Sequence, residues 1–561
     1  AGVPEGAIRF MLATPQKYGK GASAASAATS TAAAPKIEGR EKTPEELKAE
    51  ADRQREDARR QAEEQKKADE ARKTAYARGV MKKGLSLAEE GKWVDAVEVF
   101  QKFVAEGSYN PGSIEAYNAK YGIATALVKA RLYQSAAKML VEVLLEGPEK
   151  PFFKEAFEQL RTLRKEIIYN PPDLEQLTKF FLGNYSLGFQ DEVNYVLGEF
   201  FYDFGNYQRA LKHFESVSEK SPDRAKALYL MGLVQVRYKM YKSAVQSFQK
   251  AIDVTEKNKS DPAVTDLSYM ALARVAYEAE SHDAAIFYYK RVPRESIRAA
   301  SVFYELAWTY LIKGDYSRAL GAFHALHSPY FARTFYPELW ILEARVYSDL
   351  CRYEEAGKAL EMFTNKVAVH LEPLKRFINT QKSPDDFYNN FVATMNDKNV
   401  AVALPRQLAY PVLSNVEFTN VYRTVRQIEK EQAEVERYQT RLGKFATEML
   451  TKLAVLRKDR VFESGVKIQQ ILKDLEGTMT DALVRQTEIE VDINTVAMER
   501  MTEETRRMVG EGADNEAAEG TRKEGAIAIV GGDTEFWTFD GDYWFDETPY
   551  YRSLLTSQCI Q

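Results

Sequence analysis

Between residues 74 and 366 the small and apolar positions recur at fixed offsets. An aromatic residue is followed three positions later by a small one, and that by an aromatic or Leu four further on. The series runs Trp93–Ala96–Phe100, Tyr133–Ala136–Leu140, Tyr207–Ala210–Phe214, Tyr241–Ala244–Phe248, Tyr316–Ala319–Phe323 and Tyr353–Ala356–Leu360, with Ala285 leading to Tyr289 in the same way. About twelve residues before each alanine stands another small residue: Gly84, Ala124, Gly198, Gly232, Ala273, Ala307 and Ala344. These spacings predict pairs of helices. The small residue on the first helix lets the second approach, and the ring on the second fills the space between them. One such pair leaves an apolar face bare, so the pairs must stack on one another. The interval from Ala136 to Ala210 is 74 residues, which leaves room for a degenerate unit or an inserted helix pair around 152–185. Asn170-Pro171-Pro172-Asp173 breaks the helix there.

The step from Ala210 to Ala244 is 34 residues, as is that from Ala285 to Ala319. In period and in its setting of small residues against aromatics, the pattern closely resembles the tetratricopeptide repeat. The resemblance implies about seven to eight repeats over 76–366, degenerate near 150–190.

The flanks have other periods. Residues 1–40 are mostly Ala, Ser, Gly, Thr and Pro, too poor in large apolar groups to offset ordering, and are expected to form a flexible tether. Thr43-Pro44-Glu45-Glu46 is a helix-start signal, and 41–75 is dominated by Glu, Lys, Arg, Gln and Ala with i,i+4 pairs such as Glu63–Lys67. It predicts a solvated charged helix; a two-chain coiled coil is disfavoured by the lack of an apolar stripe. Residues 367–414 are read as an irregular connector broken at Pro384, Pro405 and Pro411. Over 415–509 two heptad lines appear: Val421, Ile428, Val435, Leu442, Met449 and Leu456, then Val461, Ile468, Leu475, Ala482, Ile489 and Val496. The phase change at Lys458-Asp459-Arg460 predicts an antiparallel hairpin with arms of matched length, the rival being a parallel coiled-coil dimer. After a linker at 510–525 and a short strand at Ala526–Val530, the 526–561 tail concentrates eight rings in FWTFDGDYWFDETPYY. The expected fold class is all-α: a tetratricopeptide-repeat solenoid and a long helical hairpin, with a flexible tether before them and an aromatic docking tail after.

Composition narrows the chemistry. The 561 residues carry 77 Lys and Arg against 82 Asp and Glu, for a net charge of −5, which argues against a nucleic-acid partner. No apolar run is long enough to cross a bilayer, so membrane association is peripheral at most. Cys351 and Cys559 are too few for a disulfide scaffold or a Cys-rich zinc module. His324 and His327 stand three apart without a third ligand nearby, and Asp540, Asp542, Asp546 and Glu547 lack the order of a calcium loop. No metal, cofactor or catalytic set is expected, and the chain is read as a non-enzyme. That it opens on Ala without a hydrophobic leader fits a trimmed chain, but export with the signal peptide removed is the favoured expectation.

What remains is protein binding. In the repeat register the first helices turn Tyr195, Tyr202, Tyr229, Leu233, Met270, Arg274, Tyr277, Tyr304, Trp308 and Arg345 towards the concave groove, a mixture of rings, aliphatics and Arg suited to peptide binding. The bland alternative is a surface of half-buried rings. The tail residues Phe536, Trp537, Phe539, Tyr543, Trp544 and Phe545 are expected to dock within the chain or on a partner. The layout, together with Trp537, Phe539, Asp540, Gly541, Tyr543, Trp544, Asp546 and Glu547, resembles repeat subunits of the bacterial gliding-motility machinery. That resemblance implies a scaffold in a multi-subunit cell-envelope assembly, periplasmic or outer-membrane-associated. The alternatives are a cytoplasmic co-chaperone or adaptor for client peptides, and a peptidoglycan or carbohydrate binder.

Overall fold

A computed structural model describes residues 43–107, 109, 112–168, 171–396, 403–510 and 539–559. The tether, most of the 510–525 linker, the Ala526–Val530 strand, Asn170, Phe536 and Trp537 lie outside the described residues. The chain divides into two compact units, residues 1–75 and 76–561. In the first, the described residues from Pro44 on belong to a helix whose full span is Pro44–Glu89. Its side chains over 51–75 are exposed, and Glu63 pairs with Lys67 at 3.1 Å. Pairs this wet contribute a few tenths of a kcal/mol each.

In the second unit the helices alternate as the spacing predicts. After the end of the first helix comes Trp93–Glu106, then Ile114–Lys129 with Tyr133–Leu144, and Leu187–Asp203 with Tyr207–Glu215. Arg224–Arg237 pairs with Tyr241–Asn258, Pro262–Glu278 with His282–Tyr289, Ala299–Lys313 with Tyr316–Leu326, and Leu339–Asp349 with Tyr353–Lys366. The degenerate unit keeps its first helix, Phe153–Leu163, but has a 3-10 helix, Pro172–Lys179, where the second belongs. Pro171 is its N-cap and Pro172 its first residue, positions whose N–H groups have no partner within a helix, so the two prolines mark its start.

The packing rule is visible atom by atom. Phe100, Phe214, Phe248 and Phe323 are fully buried. A Cβ on Gly84, Gly198 or Gly232 would lie 2.3, 2.5 and 2.4 Å from ring atoms of Phe100, Phe214 and Phe248. The missing side chain is therefore the space the ring occupies. Each ring stabilises its unit by about 1.5–3 kcal/mol through burial. The turn between the two helices repeats as well, with a left-handed residue at Gly91, Arg131, Gly205, Lys239, Glu280, Gly314 and Cys351.

The connector is more ordered than its prolines suggest. It forms the helices Leu371–Thr380, Pro384–Met395 and Arg406–Leu413, the second closed by a capping box between Ser383 and Asp386. Phe377, Phe387 and Phe391 from these helices enter one core with Ile341, Phe363, Ile468 and Leu472.

The hairpin is present, but its turn is not at Lys458-Asp459-Arg460, which lies inside a continuous helix, Lys444–Gly510. The short arm is Val416–Arg437, and the chain reverses between Tyr438 and Gly443. Gly443 has φ 53° and ψ −123°, a conformation open to glycine. The arms are therefore unequal, 22 and 67 residues. Arg457 pairs with Glu429 at 2.7 Å and Lys467 with Glu417, which fixes the antiparallel register.

Candidate interaction surfaces

Three surfaces carry the residues singled out from the sequence. The first is the row along the first helices of the repeats. Tyr195 is buried, and its hydroxyl donates to Glu199 at 2.6 Å. Burial and then the Glu199 carboxylate push the phenol well above its ordinary pKa. Glu199 also pairs with Arg164 at 3.4 Å. Met270 is buried in the core. Tyr229 and Leu233 are half-buried beside the Phe248 cluster, and Tyr202, Tyr277 and Trp308 are half-buried as well. Arg274 makes a two-pronged pair with Glu305 at 2.8 and 2.5 Å, and Tyr289 donates to the same carboxylate at 2.7 Å. Tyr304 stacks on Tyr336 at 4.3 Å and donates to Glu338 at 2.8 Å. Arg345 pairs with Asp349 at 3.0 Å and approaches Asp492 at 3.8 Å. Several of these groups thus join one unit to the next, and a partner in the groove would meet them already engaged.

The second surface lies between the hairpin and the repeats. The helix Tyr133–Leu144 begins after Leu132, which has no side chain able to cap it. Its exposed donors are met instead by Glu431 of the short arm. That carboxylate accepts from Gln134 N–H at 2.7 Å and from Ser135 N–H and Oγ at 3.2 Å each. A carboxylate is well placed at a helix N-terminus. Glu431 is nevertheless fully buried, and burial raises its pKa to about 7 against the lowering effect of these donors. Nearby, Tyr438 meets Trp93 edge to face at 5.6 Å, Gln427 donates to the Arg131 carbonyl at 2.6 Å, and Arg441 pairs with Asp95 and Glu98 at 2.6 and 2.7 Å. At the other end of the long arm, Arg485 pairs with Glu338 at 3.2 Å and Gln486 donates to Thr364 at 2.9 Å. The hairpin therefore touches both early and late repeats.

The third surface is the tail, which is docked within the chain. Phe539, Tyr543 and Tyr551 surround His324 at ring distances of 4.5, 4.8 and 5.0 Å. Burial lowers the His324 pKa. Phe545 packs against Tyr330 at 5.1 Å, whereas Trp544 stays exposed. Ser553 N–H donates to the Ser317 carbonyl at 3.0 Å and Gln558 N–H to that of Leu350 at 2.9 Å. A Cβ on Gly321 would fall 1.8 Å from the Tyr551 carbonyl oxygen, so that glycine is what admits the strap. Cys351 and Cys559, 208 residues apart, form a disulfide. His327, the other histidine of the candidate pair, stacks on Trp340 at 3.7 Å and bonds Glu343 at 3.0 Å. Among the described residues no group of His, Cys, Asp and Glu is placed to hold a metal ion, and no helix is long and apolar enough to cross a membrane.

Stacked helix pairs of this geometry define a tetratricopeptide-repeat solenoid, a class of protein–protein interaction scaffold. Residues 195–262 match the tetratricopeptide repeat family directly. Among solved structures the chain is similar to a tetratricopeptide repeat protein from Parabacteroides merdae, at 15% identity over 52% of this chain and 93% of that one, with a TM-score of 0.25. PilF of Pseudomonas aeruginosa is similar at 15% identity over 50% and 97%, with a TM-score of 0.23. The quorum sensor NprR from B. thuringiensis, in its apo form, is similar at 12% over 68% and 98%, with a TM-score of 0.27. No curated protein matches the chain.

Proposed function

We propose that this protein is a non-enzymatic scaffold in a bacterial cell-envelope assembly, of a motility or envelope-spanning kind, that gathers protein partners on the solenoid groove, the hairpin and the strap. The observation that carries the compartment is the Cys351–Cys559 disulfide, since such bonds persist in oxidising compartments and are rare in the cytosol. The repeats support partner binding, and the motif around Trp544 supports the motility assignment. Trapping free thiols with a mass-tagged alkylating reagent in intact cells, followed by fractionation, tests the compartment. Both cysteines should resist the tag until a reductant is added, and the protein should leave the cytosolic fraction. A chain that is tagged at both cysteines and stays in the cytosol is a cytoplasmic adaptor instead. Crosslinking mass spectrometry on cells then identifies the partners.

A further inference from the structure

The strap 539–559 is held by few buried groups. Thr548 is its one buried residue, Leu555 packs partly against the repeat core, and Phe539, Trp544 and Tyr550 remain more than half exposed. Its polar contacts to the repeats are few, among them Ser553 with Ser317 in both directions and half-buried, Gln558 with Leu350, and the exposed bond from the Tyr330 hydroxyl to the Tyr543 carbonyl at 3.1 Å. Each hydrogen bond of this kind contributes only modest net stability. The covalent link is therefore the strongest hold on the strap, and it sits near the strap's far end. Cys559 is exposed and Cys351 half-buried, so a thiolate can reach the outer sulfur. Cys351 also occupies the left-handed turn position, φ 55°, that other units fill with Gly91, Gly205 or Gly314 and with Arg131, Lys239 or Glu280. A non-glycine residue there is disfavoured.

We propose that Cys351–Cys559 is a site of thiol–disulfide exchange with a dithiol enzyme of the Cys-x-x-Cys class, and that its redox state decides whether the strap stays on the repeats. In the releasing direction one thiolate of the enzyme attacks Sγ of Cys559. The Cys351–Cys559 bond breaks, a mixed disulfide forms on Cys559, and Cys351 leaves as a thiolate that takes up a proton. The enzyme's second thiol then displaces Cys559, which is protonated in turn. Two electrons and two protons have passed to this chain, and the enzyme departs as its own disulfide. Release uncovers Gly321 and His324 on the helix Tyr316–Leu326. The exchange is a property of the folded chain, whichever compartment holds it.

The test uses the purified full-length protein with a reduced thioredoxin-type dithiol enzyme under native conditions. Thiols are counted by alkylation and mass, which is unambiguous with only two cysteines, and amide exchange is followed across the strap. The expected result is two new thiols and a loss of protection of about tenfold or more at Ser553 and Gln558, with the helix Tyr316–Leu326 unchanged. The double variant Cys351→Ser/Cys559→Ser should show the same open strap without any reductant. If that variant does not fold, reduction of the wild type by dithiothreitol supplies the same comparison. Failure of the enzyme to reduce the native bond overturns the proposal, and so does a strap that stays protected once reduced. Neither outcome bears on the cell-fractionation result, so the two readings fail separately.

Discussion

Glu431 offers the sharpest quantitative test of how the hairpin is joined to the repeats. Its folded pKa, about 7, lies above the ordinary 4.5 because the carboxylate is buried. The folded chain therefore holds the proton more tightly than the unfolded chain does. This contribution to stability is complete below pH 4.5 and is lost as pH rises to about 7 and beyond. The gap corresponds to about 3 kcal/mol. Glu431→Gln removes the titration while leaving an oxygen to accept from Gln134 or Ser135. The assay is urea unfolding of both proteins at several pH values, followed by far-UV circular dichroism and tryptophan fluorescence. Trp93 reports on this contact through Tyr438. The decisive quantity is the difference between the two proteins. Wild type should lose about 3 kcal/mol relative to the Gln variant between pH 4.5 and 7.5. His213, whose pKa burial lowers to about 4, destabilises the fold as pH falls through the range from 6.5 to 4, and it cancels in the difference. Measured against the Gln variant, Glu431→Ala should cost about 1–3 kcal/mol for each donor left unpaired, at acid and neutral pH alike. A wild-type minus Gln difference that does not vary with pH would refute the reasoning.

Ala210, Ala244 and Ala319 are fully buried, and Leu at any of them should overpack its unit by about 1–3 kcal/mol; unchanged melting midpoints in all three would sink the packing rule. Lys239→Gly should raise stability by about 0.5–1 kcal/mol, because Lys239 holds φ 58°, and a loss in urea unfolding would count against it. Deleting residues 1–75 should leave the far-UV signal of residues 76–561 intact, as expected of a separate compact unit; helix lost beyond the deleted segment would show otherwise.

The repeats were legible because their packing is local. Gly198 and Phe214, or Gly232 and Phe248, lie sixteen residues apart, and a fixed offset between a gap and the ring that fills it survives in one dimension. The hairpin was legible as a class but not in its turn. Val435, Leu442 and Met449 keep the seven-residue count straight through the reversal, because Leu442 is buried at the turn itself. The phase change at Lys458–Arg460 lies within the paired stretch, between Arg457 and Lys467, which contact Glu429 and Glu417 of the short arm. Glu431 was invisible for another reason. It sits in EKEQAEVER, where every charge looks solvated, and only the fold brings it to a helix start 297 residues earlier. The disulfide and the Gly321 cradle are likewise contacts between distant segments, with no spacing to announce them. The groove positions were legible as a face, but not as a set of tyrosines and arginines tied to neighbouring units.

The hairpin's reach has a mechanical consequence. A free helical solenoid behaves as a soft spring, because each unit touches only its neighbours and small rotations add along the stack. Here Arg441, in the hairpin turn, is tied to Asp95 and Glu98, and Arg485 of the long helix to Glu338, and the helix from Lys444 to Arg485 between them runs about 60 Å at 1.5 Å per residue. Tension applied between the early and late repeats is then shared by a second member, and stretching the spring requires breaking its tie. Residues 76–366 accordingly deform as a closed truss rather than as a coil, and a load applied at one end arrives at the other with little of it absorbed on the way.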